Sequence, residues 1–446
     1  MEERIFERKL YRKMLEWKSD SNGRTALLIK GARRVGKSTI AEEFARNEYE
    51  SYILIDFSVA PKEVHDLFKD ISDLNYLFLR LQLIYHTDLI ERKSVIIFDE
   101  VQKEPLARQA IKHLVKDYRY DYIETGSLLS IKKSVKNIVI PSEETRLEMV
   151  PMDYEEFRWA LGDKATIPQL KKAFENNVPL GEDLNRRLLR DFRLYMLVGG
   201  MPQAVNAYLD TNNLSKVDAV KRNILELYID DFRKIDASGR ASLMFEAIPS
   251  ELAKNASRYR ISSVIENEKH DRVAKIIADM RDSLTINLAY HANDPSAGMS
   301  LHEDINRYKM FVGDTGLFTT LAFMDKDFTE NIIYDKLLSD KLDTDLGYLY
   351  ENAVAQMLYA NGNKLFYYSF PKEGCNKNYE VDFLLARKNK VCPIEVKSSG
   401  YKTHASLDAF HRKFSAKSGQ RYLIYTKDLR KDEDIICLPI YMTMFL

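Results

Sequence analysis

The chain is poor in cysteine and carries no excess of charge of either sign. Its three cysteines, Cys375, Cys392 and Cys437, are scattered. They offer neither the spacing of a metal site nor a disulfide framework, which excludes both classes and fits a reducing compartment. The 67 Lys and Arg cancel the 67 Asp and Glu. Bulk charge therefore names no partner, although a local basic patch is invisible in such a sum. No apolar run approaches the length of a membrane span. The N-terminus is charged and helical in pattern, without the apolar core of a signal peptide. These absences set the expectation of a cytoplasmic protein with no membrane partner. What remains is a chain of 446 residues, 45% of them apolar, which points to packed globular domains, two to four in number.

The most informative segment is Gly31-Ala32-Arg33-Arg34-Val35-Gly36-Lys37-Ser38, a G-x-x-x-x-G-K-[ST] phosphate-binding loop. Its context fits. Ala26–Lys30 reads as a buried strand entering the loop, and Thr39–Arg46 as a helix leaving it. Glycines let successive backbone N–H groups point at phosphate oxygens. The helix N-terminus adds free N–H groups and the positive end of a dipole. The spacing predicts ATP contacts along 31–39, Lys37 at the β- and γ-phosphates and the Ser38 hydroxyl on Mg²⁺.

Further strands read at Tyr52–Phe57 and at Ser94-Val-Ile-Ile-Phe-Asp99-Glu100. An apolar strand ending in Asp-Glu is the Walker B pattern. Asp99 is expected in the Mg²⁺ shell, and Glu100 is placed to orient or deprotonate the attacking water. The intervening elements suit a sheet in which an extra strand separates the loop from Walker B. A fourth strand, Asp121–Ser127, ends in hydroxyls, and either Thr125 or Ser127 is a candidate γ-phosphate sensor or simply a strand-end turn. Alternating strands and helices argue for an α/β fold with a parallel sheet that binds ligand at the strands' carboxyl ends. Arg33 and Arg34, inside the loop, are placed either to neutralise charge on a transferred phosphoryl group or to serve as surface or subunit-contact residues, and Arg33 reads as structural. Arg146 is a candidate for neutralising charge on the transferred phosphoryl group.

Together the segments Gly31–Ser38, Asp99-Glu100-Val-Gln102-Lys-Glu-Pro105, Thr125-Gly126-Ser127, and Arg146 with Val150–Phe157 resemble one prokaryotic AAA-like ATPase family. That family fuses its ATPase to a C-terminal domain of unknown function with a restriction-endonuclease-like core. Val198-Gly-Gly-Met-Pro202 and Asp314-Thr-Gly-Leu317 resemble two further signatures of the group. The family usually has Thr after the loop lysine, where this chain has Ser38, and either hydroxyl serves Mg²⁺. The resemblance implies a helical lid in the segment ending near Pro202, so that the ATPase part spans 1–205.

From about 206 to 335 the pattern suggests a helical, winged-helix-like part. Helices are expected at Leu243–Ala256, near Ser262-Ser263, and at His270–Ser283, with wing strands at Leu284–Tyr290 and Tyr308–Val312. Val273, Ile276, Ile277 and Met280 form the apolar stripe of the third helix. Arg272 and Lys275 lie off the stripe, but the aspartates beside them favour a solvated mixed-charge face over a DNA-reading one.

The last part, 336–446, carries a second constellation. Asp382 is followed thirteen residues later by Glu395-Val-Lys397, both on expected strands, with Glu395 and Lys397 on one face. Two carboxylates suit a hard cation, a second Mg²⁺ or Mn²⁺, and the lysine is placed to position a water. This resembles the PD-(D/E)XK nuclease core. The resemblance adds Glu351, on a helix beginning near Gly347, as a further acidic residue, and an α-β-β-β-α-β order of elements. An inactive module used for binding is the alternative. Lys402, His404, Arg412, Lys413 and Lys417 are candidate phosphate contacts for DNA or RNA. An assembly of like chains stays open.

Overall fold

The computed structural model describes residues 4–126, 142–254, 258–265, 270–295, 298–325, 338, 347–374, 376–398 and 403–446. Ser127 and Lys402 lie outside the described residues. The chain divides into two compact units, Met1–Val150 with Asp282–Leu284, and Pro151–Arg281 with Thr285–Leu446.

The first unit is an α/β layer structure. Its five strands are β1 (Ala26–Gly31), β2 (Ser51–Asp56), β3 (Ser94–Asp99), β4 (Asp121–Gly126) and β5 (Glu144–Met149), and they pair in the order β2-β3-β4-β1-β5. Every pairing is parallel. The expected insertion is present: β4 lies between the loop strand β1 and the Walker B strand β3. Strand alternation divides the core into two layers. Ile96 and Phe98 pack on one face with Leu28, Ile53, Ile55 and Tyr122, under the helices Leu74–Tyr85 and Pro105–Asp117. Val95 and Ile97 pack on the other with Leu27, Ile29 and Ile123, under Lys9–Ser21 and Lys37–Glu48. Covered on both faces, the strands read as continuous apolar runs, as parallel sheets do.

The second unit begins with helices, among them Tyr154–Ala160, Thr166–Glu175, Glu182–Val198, Pro202–Thr211 and Leu214–Ile235. The first of these starts with a full capping box between Asp153 and Glu156. The single helix expected over Leu243–Ala256 is instead two, Arg240–Glu246 and Ile248–Ala253. Pro249 is the reason: it lacks the N–H a continuous helix needs and sits in the first turn of the second piece. The stripe Val273, Ile276, Ile277 and Met280 is buried on the helix His270–Asp282, with Arg272 and Lys275 exposed.

An eight-stranded mixed sheet follows. Its strands are β6 (Ile286–Ala292), β7 (Glu303–Val312), β8 (Phe366–Pro371), β9 (Asn378–Arg387), β10 (Lys390–Val396), β11 (Arg421–Tyr425), β12 (Arg430–Asp432) and β13 (Ile435–Pro439). They run in the order β12-β13-β11-β10-β9-β8-β6-β7. The two strands expected as wings pair antiparallel as β6 and β7, but β6 also pairs in parallel with β8. The hairpin therefore extends the C-terminal sheet. The elements Gly347–Ala360, β8, β9, β10, Ala405–Lys413 and β11 follow one another in the expected α-β-β-β-α-β order.

Candidate functional site

The phosphate-binding loop is shaped by one close fit and two left-handed residues. Gly31 is paired with Met149 of β5, and a Cβ on Gly31 would stand 2.5 Å from the Met149 carbonyl oxygen and 3.1 Å from a Val35 methyl. Only glycine passes there. Arg34 (φ 67°) and Gly36 (φ 100°) both take the left-handed conformation that turns the loop back on itself. The helix Lys37–Glu48 then starts with no side-chain hydrogen bond at its N-cap, which leaves its first N–H groups to a ligand. Ala32 and Val35 are buried, while Arg33, Arg34 and Thr39 are exposed.

Lys37 is buried and folds over the loop, where Nζ donates to the carbonyls of Gly31 (3.2 Å) and Ala32 (2.9 Å). Burial pulls its pKa below the usual lysine value, against the opposing pull of Glu100 and Asp99. The acidic pair at the carboxyl end of β3 thus acts electrostatically on the loop lysine.

Asp99 ends β3 and is buried. Its Oδ1 accepts from Ser38 Oγ at 2.7 Å and from the Thr125 hydroxyl in a still closer contact. Thr125 Oγ1 in turn accepts from the Glu100 amide at 3.4 Å. Glu100 takes the left-handed conformation (φ 52°), and Gln102 Nε2 donates to its Oε2. The structure thus brings together Lys37, Ser38, Asp99, Glu100 and Thr125, from the loop and the carboxyl ends of β3 and β4. A hydroxyl at hydrogen-bond distance from a carboxylate, beside a glycine-shaped loop and a lysine, is a donor set that fits Mg²⁺ with a nucleotide's phosphates.

Arg146 is not brought to this cluster. It pairs in register with Leu28, three residues before Gly31, and its Nε donates to Glu144 at 2.6 Å. It caps a buried charge group that the sequence reading missed. Arg108, fully buried, donates to Glu144 Oε2 at 2.7 Å and lies 3.4 Å from Glu124 Oε1. Burial pushes Glu124 up to about 8, with Arg108 opposing and Glu144 adding to the rise. Nothing local marks this group, because Arg108, Glu124 and Glu144 meet only when the sheet and its covering helix pack.

In the second unit, β9 and β10 are antiparallel with Phe383 opposite Ile394, so Asp382 and Glu395 stand side by side one step on. Asp382 Oδ2 accepts from the Val396 amide at 2.7 Å. Glu395 Oε1 lies 3.3 Å from Lys397 Nζ, as the alternation predicts, while Oε2 is buried without a hydrogen-bond partner. Burial raises the Glu395 pKa against the pull of Lys397.

The remaining carboxylates converge on a residue that the sequence did not suggest. Lys309 Nζ, from β7, lies 2.7 Å from Glu351 Oε1, 2.6 Å from Glu380 Oε1 and 3.8 Å from Asp382 Oδ1. Burial opposes its charge, but the three carboxylates prevail and hold its pKa well above the usual value. Asp382 is pushed well up by burial and by Glu351, against Lys309. Among the described residues, no group of three His, Cys, Asp or Glu side chains is arranged to hold a metal ion. The second Mg²⁺ or Mn²⁺ expected here therefore finds no ready set of ligands. Of the expected phosphate contacts, Arg412 and Lys413 are exposed, Lys417 pairs with Asp294 at 2.9 Å, and His404 lies 3.4 Å from Asp432.

The two glycine-bearing signatures meet inside the second unit. Asp314 Oδ2 accepts from the Gly200 amide at 2.6 Å, and Oδ1 from the Leu317 amide at 2.8 Å. The Gly200 carbonyl accepts from the Met152 amide at 2.8 Å, and a Cβ on Gly200 would stand 2.1 Å from the Met152 carbonyl oxygen. Lys221, fully buried, donates to the carbonyls of Leu197 and Gly316 beneath this junction.

Comparison with known proteins bears on the segment that carries the loop and β3. Residues 23–158 match the family model described as an AAA domain. Residues 189–327 and 346–442 match two models described only as domains of unknown function, DUF8612 and DUF4143. No curated protein matches the chain. Among solved structures, a signal transduction ATPase with numerous domains and a tetratricopeptide repeat sensor, from Pyrococcus horikoshii, is similar at 12% identity and a TM-score of 0.28, over 81% of this chain and 50% of that one. This chain thus spans about half of that protein's length. C. elegans PCH-2 is similar at 12% identity and a TM-score of 0.22, over 48% of this chain and 66% of that one. The Hef helicase domain of Pyrococcus furiosus gives 12% identity and 0.20, over 95% and 91%. Among the described residues no helix is long and apolar enough to cross a membrane. The loop geometry, the strand order and the matched family model together identify residues 23–158 as an AAA-type P-loop ATPase domain.

Proposed function

We propose that the chain binds ATP with Mg²⁺ at the loop, hydrolyses it, and couples its nucleotide state to a nucleic-acid-directed second unit. The observation that carries this is the linked set Lys37, Ser38, Asp99, Thr125 and Glu100. In this reading the backbone of Ala32–Thr39 cradles the phosphates and Lys37 leaves its carbonyl partners for the β- and γ-oxygens. Ser38 and Asp99 hold Mg²⁺, which supplies neutralisation of the charge on the transferred phosphoryl group. Glu100 orients the attacking water, and Thr125, already bonded to Asp99, reports whether the γ-phosphate is present.

Coupling is supported by chain connectivity. Met149 is the residue against which Gly31 fits, and three residues later Met152 is the residue against which Gly200 fits. A shift at the loop therefore has a short covalent route to the Gly200–Asp314 junction. The working organisation is an ATPase part, a middle part and a C-terminal part (1–205, 206–335, 336–446). The α-β-β-β-α-β order, with Asp382 beside Glu395 and Lys397, supports a nuclease-like C-terminal part. The ion pairing of Lys309 favours a second reading of that part, as a nucleotide-gated binding module that does not cleave. The test is turnover of ATP by the purified chain, with and without DNA and RNA, while nucleic-acid integrity is followed under Mg²⁺ and Mn²⁺. Turnover that responds to nucleic acid supports the coupling. Turnover indifferent to both polymers refutes the nucleic-acid direction.

A further inference from the structure

We propose that the Lys309 ammonium is a built-in cation holding the place a divalent metal would take among Glu351, Glu380 and Asp382, so that the C-terminal module works without that metal. The inference rests on the second, non-cleaving reading above and gives it a physical cause.

A hard cation requires oxygen ligands, and the carboxylates of the helix Gly347–Ala360 and of β9 are gathered around an ammonium rather than set as a metal shell. Here the convergence point is taken. Lys309 enters from β7 with its side chain 5% exposed, and its Nζ stands 2.6 to 3.8 Å from an oxygen of each of the three carboxylates. The Tyr367 ring has its centroid 5.6 Å from Nζ. A buried ammonium stripped of its partners is strongly destabilising. A metal that recruited these oxygens would strand the lysine and be repelled by it at the same time.

The neighbouring oxygens are committed as well. Asp382 Oδ2 accepts from the Val396 amide, and Glu395 Oε1 is held by Lys397, which itself donates to the Thr403 carbonyl. Glu395 Oε2 is left open, but one oxygen does not build a shell of several. The carboxylates sit in the segment matched by one family model and Lys309 in the segment matched by another. The same ion pairs therefore pin those two segments together.

The test is Mn²⁺ binding to the full chain without nucleotide, counted from the electron paramagnetic resonance signal of free Mn²⁺. Weak binding at the P-loop is common to all variants and cancels. The wild type and Asp382→Asn should bind the same number of ions. Lys309→Met should gain one Mn²⁺ per chain, and Lys309→Met combined with Asp382→Asn should lose it again. A Mn²⁺ held by the wild type and lost in Asp382→Asn would overturn the proposal, and so would a folded Lys309→Met that gains none. If Lys309→Met does not fold, the wild-type and Asp382→Asn pair decides alone. Failure of the ATPase reading would show as absent ATP turnover in the wild type and leave these ion counts untouched.

Discussion

Ser38 Oγ donates to Asp99 Oδ1 at 2.7 Å, joining the first hydroxyl after the loop lysine to the last residue of β3 across 61 residues of chain. In the proposed cycle both groups turn to Mg²⁺. Ser38→Ala should therefore shift the Mg²⁺ dependence of ATP turnover to concentrations higher by about tenfold or more, the scale of one lost bond to a charged group. A titration of turnover against Mg²⁺ at fixed ATP reads this directly. An unshifted midpoint would remove Ser38 from the metal shell.

Gly200 is a steric requirement of the second unit. The Met152 carbonyl oxygen at 2.1 Å and amide nitrogen at 2.6 Å leave no space for a Cβ, and both belong to backbone rather than to a yielding side chain. Gly200→Ala should destabilise the unit by about 1–3 kcal/mol or more, as overpacking does. Denaturant unfolding followed by a probe in that unit measures the change. A loss below about 0.5 kcal/mol, the range of an ordinary surface substitution, would contradict the close fit.

The buried Arg108–Glu124–Glu144 group gives the first unit a pH dependence of known sign. The folded-state pKa of Glu124, about 8, lies above its unfolded value. Its contribution is therefore fully present below the unfolded pKa and is lost as pH rises toward 8. One proton of difference corresponds to a slope of up to about 1.4 kcal/mol per pH unit. Glu124→Gln should flatten the fall in stability between about pH 5 and pH 8. Parallel stability profiles for wild type and variant would show that Glu124 does not titrate in that window.

What was legible in the sequence was local. The loop, the Asp99-Glu100 pair and the alternation of Val95, Ile96, Ile97 and Phe98 lie within short stretches whose spacing carries its own geometry. Glu395 and Lys397 are two residues apart on a strand, and their contact follows from the pleat. The helix break at Pro249 is equally local, but the apolar pattern runs through it and hides it. Lys309 was not readable. It sits in a strand among apolar residues, 42 residues before Glu351, and nothing near it in sequence marks it as a counterion. Arg108 and Glu124 share that difficulty: each reads as a surface charge until the sheet and its covering helix close over both. The Gly200 and Asp314 segments stood out individually, but their contact spans 114 residues and is a product of tertiary packing.

The central claim is that the loop and the end of β3 hydrolyse ATP through separate binding and water-activating groups. The most direct measurement is ATP affinity and Mg²⁺-dependent turnover of the wild type, Lys37→Ala and Glu100→Gln, side by side. Lys37→Ala should lose nucleotide binding and turnover together, because the principal cation at the phosphates is gone. Glu100→Gln should bind ATP as the wild type does while turnover falls by about a hundredfold or more, the usual scale for a lost general base. Equal loss of binding in both variants, or undiminished turnover in Glu100→Gln, would contradict the account.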